Sequence, residues 1–172
     1  MGGVDKGLVD YRGRPLVEWM LATLAPQVDE LVISANRNLE TYAAFGYRVL
    51  PDPLPDHAGP LAGVLAALDA LRADWLLVAP CDVPALPATL AARLLDAARR
   101  QGAVLAVAAD SERVHHSTFA VHCDQRDDLA AYLARGGRTV RDWQAGLRSA
   151  TVVFDAAAFV NINTPEDLAS AP

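Results

Sequence analysis

Residues 74–87 read Asp74-Trp-Leu-Leu-Val-Ala-Pro-Cys-Asp82-Val-Pro-Ala-Leu-Pro87. The apolar run over residues 75–79 has the length and composition of a buried strand. Pro80 ends this run, because proline cannot donate a hydrogen bond to a sheet ladder. A carboxylate therefore follows the carboxyl end of a strand, which is where open α/β sheets bind their ligands.

Two roles for Asp82 fit this position. A lone carboxylate in a loop stiffened by Pro84 and Pro87 suits Mg²⁺, which proteins usually hold with one or two carboxylates plus substrate phosphates. Alternatively, Asp82 caps the helix predicted to begin near residue 88, because aspartate is common at helix starts. Spacing in the sequence leaves both roles open.

Working outward from this stretch, apolar runs and helical periodicities alternate along the chain. They predict strands at residues 30–34, 47–50, 103–109, 115–121 and 151–154, and helices at 15–24, 39–45, 61–71, 88–100 and 126–134. This alternation indicates an α/β fold with a mostly parallel sheet, and the less regular last third is expected to add an antiparallel strand or two. A length of 172 residues predicts one domain spanning residues 1–172.

Composition excludes several classes of protein. A hydrophobic content of 52% excludes a disordered chain, and no apolar run is long enough to span a bilayer. The net charge of -6 and the absence of a basic patch argue against a nucleic-acid reader. Cys81 and Cys123 have neither a CxxC partner nor a histidine at zinc-site spacing, so a reducing cytoplasm is the simplest compartment.

Polar and glycine residues also follow the other predicted strands. Ser34 and Asn36 come after the second strand, and Asn36 suits either a base or ribose contact or an Asx-turn. Asp52 comes after the third strand. Gly59 and Pro60 then lead into a helix, whose N-terminus favours anions. This connection is either an ordinary strand-to-helix loop or a binding loop, and its length and stiffness favour binding.

The first residues form a glycine-rich loop that contains Gly2, Gly3 and Lys6. Such glycines let backbone N–H groups approach a phosphate, and the lysine adds a positive charge. A loop of this kind is expected to follow a strand. The alternative is a frayed terminus.

The last third contains two further candidate sites. His115 and His116 are adjacent in a predicted strand and so point to opposite faces, which favours ordinary buried or substrate-facing imidazoles over a shared metal. The basic turn at residues 135–141 is either a solvated face or a site for an anionic second substrate. Residues 159–163 alternate apolar and polar, which places Asn161 and Asn163 on one face.

Five motifs together resemble the molybdenum cofactor guanylyltransferase family. They are Met1-Gly-Gly-Val-Asp-Lys6-Gly-Leu, Ser34-Ala-Asn36-Arg37, Gly59-Pro-Leu-Ala-Gly63, Pro80-Cys-Asp82-Val-Pro and Phe159-Val-Asn161-Ile-Asn163-Thr-Pro-Glu-Asp. The resemblance implies a three-layer Rossmann-like nucleotidyltransferase fold with helices on both faces of the sheet. It also implies Mg²⁺-dependent transfer of GMP from GTP to molybdenum-molybdopterin, giving pyrophosphate and molybdopterin guanine dinucleotide.

The resemblance also implies residue roles. Lys6, with the glycines beside it, binds the nucleotide phosphates, and Asp82 binds Mg²⁺. Asp52 and the Gly59–Pro60 turn line the guanine site, where Ser34 stands at a position that is often Asn in the family. Asn161 and Asn163 lie on the molybdopterin side. Other molybdenum cofactor biosynthesis proteins and acceptor molybdoenzymes are further implied partners.

The family's loop normally begins upstream, with Leu-Ala-Gly-Gly carried off a first strand, whereas this sequence begins in the second half of that loop. The N-terminal strand and the first half of the loop are thus expected to be missing. The alternatives are a cytidylyltransferase, a sugar-phosphate nucleotidyltransferase of the same fold, or a non-catalytic molybdopterin-binding relative. In-frame codons for the missing strand upstream of Met1 would favour the enzyme.

Overall fold

The computed structural model describes residues 5–52 and 59–162. Its strands are β1 (Asp10–Tyr11), β2 (Arg14–Pro15), β3 (Val32–Ser34), β4 (Arg48–Leu50), β5 (Trp75–Val78), β6 (Leu105–Ala109), β7 (Val114–His122) and β8 (Ser149–Val153). Its α-helices are α1 (Leu16–Leu24), α2 (Leu39–Ala43), α3 (Pro60–Ala70), α4 (Leu90–Gln101), α5 (Arg126–Ala134) and α6 (Val140–Ala145). Short 3₁₀ turns occupy Lys6–Leu8, Ala25–Gln27, Cys123–Gln125 and Ala156–Phe159.

The larger sheet has the strand order β5-β7-β6-β8. β7 is antiparallel to β5 and to β6, whereas β6 and β8 are parallel. β5, β6 and β8 therefore all run in one direction and β7 alone is reversed, which confirms the antiparallel strand expected in the last third. β3 and β4 form a separate parallel pair.

Helices cover both faces of the larger sheet. In β6, Leu105 and Val107 pack with apolar residues of α3, α5 and α6, whereas Ala106 and Ala108 pack with those of α4. This alternation follows from the two-residue period of a strand. α3 also contacts the β3–β4 pair through Leu50, so it spans both sheets. The result is the expected three-layer arrangement, and none of the helices described has the length and hydropathy needed to span a bilayer.

Three helix starts differ from their predicted positions, and the smallest difference is at α3, which begins one residue early at Pro60. α1 begins at Leu16, because Pro15 pairs with Asp10 in a short hairpin and keeps an extended backbone. α4 begins at Leu90, with Thr89 at its N-cap position. Asp82 is therefore too far from α4 to cap it, and the capping alternative is excluded.

The strand directions bring several loops to one edge of the sheet. The carboxyl ends of β5, β6 and β8 lie there together with the first residues of β7, because Val78 pairs with Phe119 and Ala109 pairs with Val114 and Val153. The segments after β5, between β6 and β7, and after β8 all emerge at this edge. We call it the carboxyl edge.

Candidate active site

The first notable contact at the carboxyl edge joins Lys6 to Asp82. Lys6 Nζ lies 3.3 Å from Asp82 Oδ2, although 76 residues separate them in the chain. The Asp82 side chain is 13% exposed and that of Lys6 is 45% exposed. The Asp82 carboxylate is thus mostly covered by the surrounding protein, whereas nearly half of the Lys6 side chain is exposed to solvent.

The turn that carries Lys6 is anchored through Asp5. The Asp5 carboxylate accepts hydrogen bonds from Tyr42 Oη at 2.6 Å and from Asn38 Nδ2 at 3.0 Å. Burial, followed by the hydrogen bond to Asp5, raises the pKa of Tyr42 well above its ordinary value, so its hydroxyl remains a donor. A Cβ on Gly7 would come within 2.4 Å of Tyr42 Oη, so only glycine fits the turn against α2.

The loop that carries Asp82 is held by its backbone and by the core. Val83 and Leu86 are buried in the cluster that α4 forms with the sheet. The backbone N–H of Ile162 donates a 2.8 Å hydrogen bond to the carbonyl oxygen of Asp82. The segment after β8 is therefore fastened directly to the Asp82 loop.

The surroundings of Asp82 favour a cation. Burial among the surrounding protein atoms, followed by the negative charges of Asp82 and Asp5, together raise the pKa of the neighbouring Cys81 thiol to about 11. Within residues 5–52 and 59–162, no group of three or more His, Cys, Asp and Glu side chains is placed to hold a metal. A single carboxylate beside substrate phosphates is a donor set that suits Mg²⁺. The residues present at Asp82 therefore fit this ion.

A second cluster lies after β3 and β4. Asn36 Nδ2 donates to Asp52 Oδ2 at 2.6 Å, and the backbone N–H of Asp52 donates to Asn36 Oδ1 at 2.7 Å. This reciprocal pair fixes the direction of the Asp52 carboxylate. The Asn36 side chain is thus engaged with Asp52, which differs from the Asx-turn considered as one of its roles.

The first turn of α3 closes against this cluster. Gly59, at φ +77°, occupies the N-cap position and Pro60 the first helical position. A Cβ on Gly63 would lie 2.2 Å from Ser34 Oγ and 3.4 Å from Asp52 Oδ1. Ser34 and Asp52 are thus packed directly against the backbone of α3, which positions the helix N-terminus beside them.

Gly63→Ala is expected to disrupt this cluster. The added methyl group cannot be accommodated without moving Ser34 or α3, and Ser34 forms part of β3. We expect at least a tenfold loss of nucleotide affinity, because Asp52 and the helix N-terminus shift together (roughly the effect of losing one charge-assisted hydrogen bond). Isothermal titration with GTP measures the loss.

Two further variants test the cause of this loss. Ser34→Gly combined with Gly63→Ala removes the atoms that clash and should recover part of the affinity. Gly146→Ala is the matched control, since a Cβ there meets only a backbone oxygen at an ordinary 3.5 Å. Unchanged GTP affinity in Gly63→Ala would show that this packing does not form the nucleotide site.

The raised pKa of Cys81 predicts slow alkylation. With Cys123→Ser as background, we expect iodoacetamide to react with Cys81 at pH 8.5 about tenfold or more slowly than with an unperturbed thiol. Asp82→Asn removes one of the neighbouring negative charges and should accelerate the reaction. Asp74→Asn, at the opposite end of β5, should not. Equal rates in all three proteins would contradict the electrostatic environment described for Asp82.

The structure thus brings the predicted site residues into two groups. Lys6 lies beside Asp82, and Ser34, Asn36 and Asp52 lie together, with Ser34 and Asp52 against α3 at Gly63. Asn161 lines a cavity at the carboxyl edge. Gly2, Gly3 and Asn163 lie outside the described residues.

Sequence reasoning missed several residues that shape these groups. Asp5 and Tyr42 carry no local signal, because they are 37 residues apart in the chain. Gly63 stands in a quoted motif, and its small size could have indicated close contact between a helix and a strand, as in other glycine-rich βα turns.

Comparison with known families decides to which group the chain belongs. A family model described as the MobA-like NTP transferase domain matches residues 1–150. The chain belongs to this family. The recognition made from the five motifs is therefore confirmed, and this MobA-like NTP transferase is a nucleotidyltransferase.

Individual relatives agree with this assignment. The MobA-like chain is 47% identical over 174 residues to the molybdenum cofactor guanylyltransferase of Cupriavidus necator, with 98% of this chain and 87% of that protein covered. A Shewanella protein of the same name is 45% identical over 168 residues, with 96% and 85% covered. Both relatives therefore align with almost all of this sequence.

Solved structures confirm the fold of the MobA-like chain. Molybdopterin-guanine dinucleotide biosynthesis protein A from Archaeoglobus fulgidus superposes with a TM-score of 0.78 at 22% identity, covering 98% of this chain and 89% of that one. A cytidylyltransferase acting on 2-C-methyl-D-erythritol 4-phosphate, from Thermus thermophilus, gives a TM-score of 0.75 at 26% identity, covering 96% and 91%. The Rossmann-like nucleotidyltransferase fold inferred from sequence is thus confirmed.

Proposed function

We propose that this chain transfers GMP from GTP to molybdopterin carrying molybdenum, with Mg²⁺ as the metal cofactor. The products are molybdopterin guanine dinucleotide and pyrophosphate. The observation that carries the proposal is the contact between Lys6 and Asp82 at the carboxyl edge. The Lys6 ammonium group can bind a phosphate and the Asp82 carboxylate can bind a cation, and the two groups are close enough to act on the same phosphate. The names of the guanylyltransferase relatives support the choice of substrates.

Phosphoryl transfer depends on positioning and charge neutralisation more than on covalent help from the protein. A phosphate oxygen of molybdopterin attacks the α-phosphorus of GTP in line, and the bond from that phosphorus to the bridging oxygen of the β-phosphate breaks. Pyrophosphate leaves with the bonding electrons. The attacking phosphate is already anionic, so no side chain has to remove a proton from it.

The chain's own residues have separate tasks in this step. Lys6 donates to the phosphates and neutralises charge on the departing pyrophosphate. Asp5, held by Tyr42 and Asn38, keeps the Lys6 turn in place. Asp82 is the residue that would hold Mg²⁺, which when bound neutralises charge on the nucleotide oxygens.

In this proposal, Asp52 reads the base. Guanine presents its N1–H and 2-amino groups side by side, and one carboxylate can accept from both. Cytosine offers no such pair of donors. The reciprocal bond with Asn36 fixes Asp52 in one orientation, as such a contact requires. GTP is therefore preferred over CTP.

The proposal is tested by product formation with different nucleotides. Purified protein, Mg²⁺ and molybdenum-loaded molybdopterin are incubated with GTP, CTP or UTP, and the dinucleotide product is identified by mass spectrometry. We expect the guanine dinucleotide and pyrophosphate with GTP, and far slower turnover with the other nucleotides. Faster turnover with CTP would identify a cytidylyltransferase, and no transfer with any nucleotide would refute the proposal.

A further inference from the structure

A cavity of about 460 Å³ opens beside the proposed site. Six polar residues of its lining come from three segments. These segments are residues 113–117 around the start of β7, residues 139–141 around the start of α6, and the chain after β8. The six residues are Arg113, His116, Ser117, Thr139, Arg141 and Asn161. None of these six residues belongs to the cluster formed by Ser34, Asn36 and Asp52.

The cavity adjoins the Asp82 loop. Asn161 lines it, and the next residue, Ile162, donates its backbone N–H to the carbonyl oxygen of Asp82. Arg113 and His116 belong to the turn and the strand that begin at the same carboxyl edge. A ligand whose phosphate reacts near Asp82 can therefore extend into this cavity.

An irregularity in β7 forms one wall. Val107 pairs with Phe119, but the next residue of β6, Ala108, pairs with His115, so residues 116–118 bulge out of the ladder. Thr118 turns into the core, while His116 and Ser117 line the cavity. Bulges beside binding sites commonly redirect side chains in this way.

The turn before this wall is held together by hydrogen bonds to Asp110. Asp110 accepts hydrogen bonds from the backbone N–H groups of Glu112 and Arg113, which lower its pKa to about 2, and it also contacts His115 Nε2 at 2.8 Å. His115 in turn stacks on Phe159. The two adjacent histidines thus have different surroundings, and only the side chain of His116 is directed to α6.

Gln144 of α6 fixes the His116 ring. Its amide Nε2 donates to the backbone oxygen of His116 at 3.0 Å, and its Oε1 lies 2.7 Å from His116 Nδ1. Because the amide nitrogen is already the donor to a carbonyl, Oε1 must accept, so Nδ1 carries the hydrogen. In the neutral ring, Nε2 is then a hydrogen-bond acceptor. Among the described residues it makes no hydrogen bond.

The cavity also carries positive charge. Arg113 and Arg141 line it, and neither guanidinium pairs with a carboxylate of the described residues. The chain as a whole has a net charge of -6. Two cationic side chains at the mouth of a cavity in an acidic protein favour an anionic ligand.

We propose that this cavity determines recognition of the non-reacting end of the acceptor, with His116 as its specificity-determining residue and Gln144 as the positioning residue behind it. His116 Nε2 accepts a hydrogen bond from an N–H group of the pterin, and Arg113 and Arg141 bind the anionic dithiolene–oxometal end. The inference rests on the proposed function, because that function supplies a pterin acceptor.

The test separates acceptor binding from nucleotide binding in the full-length protein. His116→Leu removes the acceptor atom and should raise KM for molybdenum-loaded molybdopterin about tenfold, while Kd for GTP stays unchanged. His116→Gln keeps an acceptor oxygen near the Nε2 position and should remain within about threefold of wild type. Gln144→Leu should resemble His116→Leu, and the double variant should add little to either.

Arg141→Ala and Arg113→Ala should each raise the acceptor KM about tenfold or more, because each removes a charge-assisted contact. Arg99→Ala, exposed on α4, is the matched control. If a leucine variant fails to fold, the acceptor KM values of the arginine variants and of His116→Gln still test the inference.

Unchanged acceptor KM in the arginine variants, or equal loss in His116→Gln and His116→Leu, would overturn the inference while GMP transfer itself continues. A shift in Kd for GTP would overturn it as well, since that result would indicate a structural role. Failure of the proposed function would instead appear as no transfer by the wild-type protein.

Discussion

Asp82→Asn is expected to lower GMP transfer by about 10³-fold or more at any Mg²⁺ concentration. The substitution keeps the shape of the side chain but removes the negative charge of the carboxylate that lies 3.3 Å from Lys6 Nζ. A bound metal ion contributes several kcal/mol of charge stabilisation in the transition state, and this contribution would be lost. Steady-state turnover over a range of Mg²⁺ concentrations measures the effect.

Loss of activity alone does not separate a lost metal ligand from a misplaced lysine. Lys6→Met removes the lysine but keeps the carboxylate, so it should weaken GTP binding while Mg²⁺ still strengthens it. In Asp82→Asn, Mg²⁺ should no longer strengthen GTP binding. Asp74→Asn, exposed at the other end of β5, is the control. Near-normal turnover in Asp82→Asn would refute the assignment of the metal ligand.

Asp52→Asn is expected to reduce the preference for GTP over CTP by about 1–3 kcal/mol, roughly 5- to 150-fold, by analogy with bidentate base contacts in DNA recognition. An asparagine at this position can accept only one of the two guanine hydrogen bonds, and its amide group would face a guanine donor. The contact with Asn36 can persist, because the asparagine oxygen replaces Oδ2 as the acceptor. The ratio of kcat/KM for the two nucleotides measures the change.

Asn36→Ala tests whether the orientation of Asp52 contributes to nucleotide selectivity. It leaves the Asp52 carboxylate in place but removes both side-chain contacts that orient it, so selectivity should fall by less than in Asp52→Asn. Asp29→Asn, exposed and remote from this cluster, should retain the wild-type ratio. If Asp52→Asn leaves the GTP-to-CTP ratio unchanged, Asp52 does not read the base.

Much of the fold could be predicted from local patterns. The continuous apolar runs at β5 and β6 identified buried strands, because strands covered on both faces carry apolar side chains on both. The boundaries were less accurate where a proline had two possible roles. Pro15 suits the first position of a helix, but its pairing with Asp10 places it in a hairpin instead. That pairing depends on a contact that no helical pattern contains.

The sequence predicted which residues belong to the candidate site better than it predicted the contacts between them. Asp82, Lys6 and Asp52 were each identified from a strand end, a glycine-rich loop or the family resemblance. The reciprocal bond between Asn36 and Asp52 was not, because the sequence separates them by 16 residues and leaves their orientation open. The bulge at residues 116–118 was missed for a similar reason, since it depends on how β7 pairs with β6.

The sequence by itself determined the order of the strands and helices that form the two main sheets and their covering layers, the family, and the carboxylate that follows β5. These depend on hydrophobic periodicity, on proline's missing N–H and on motifs read along the chain. Only the tertiary structure decided that Lys6 meets Asp82, that Gly63 closes on Ser34, and that Gln144 fixes His116. Each of these contacts joins residues from different elements, so it exists only once the elements have packed together.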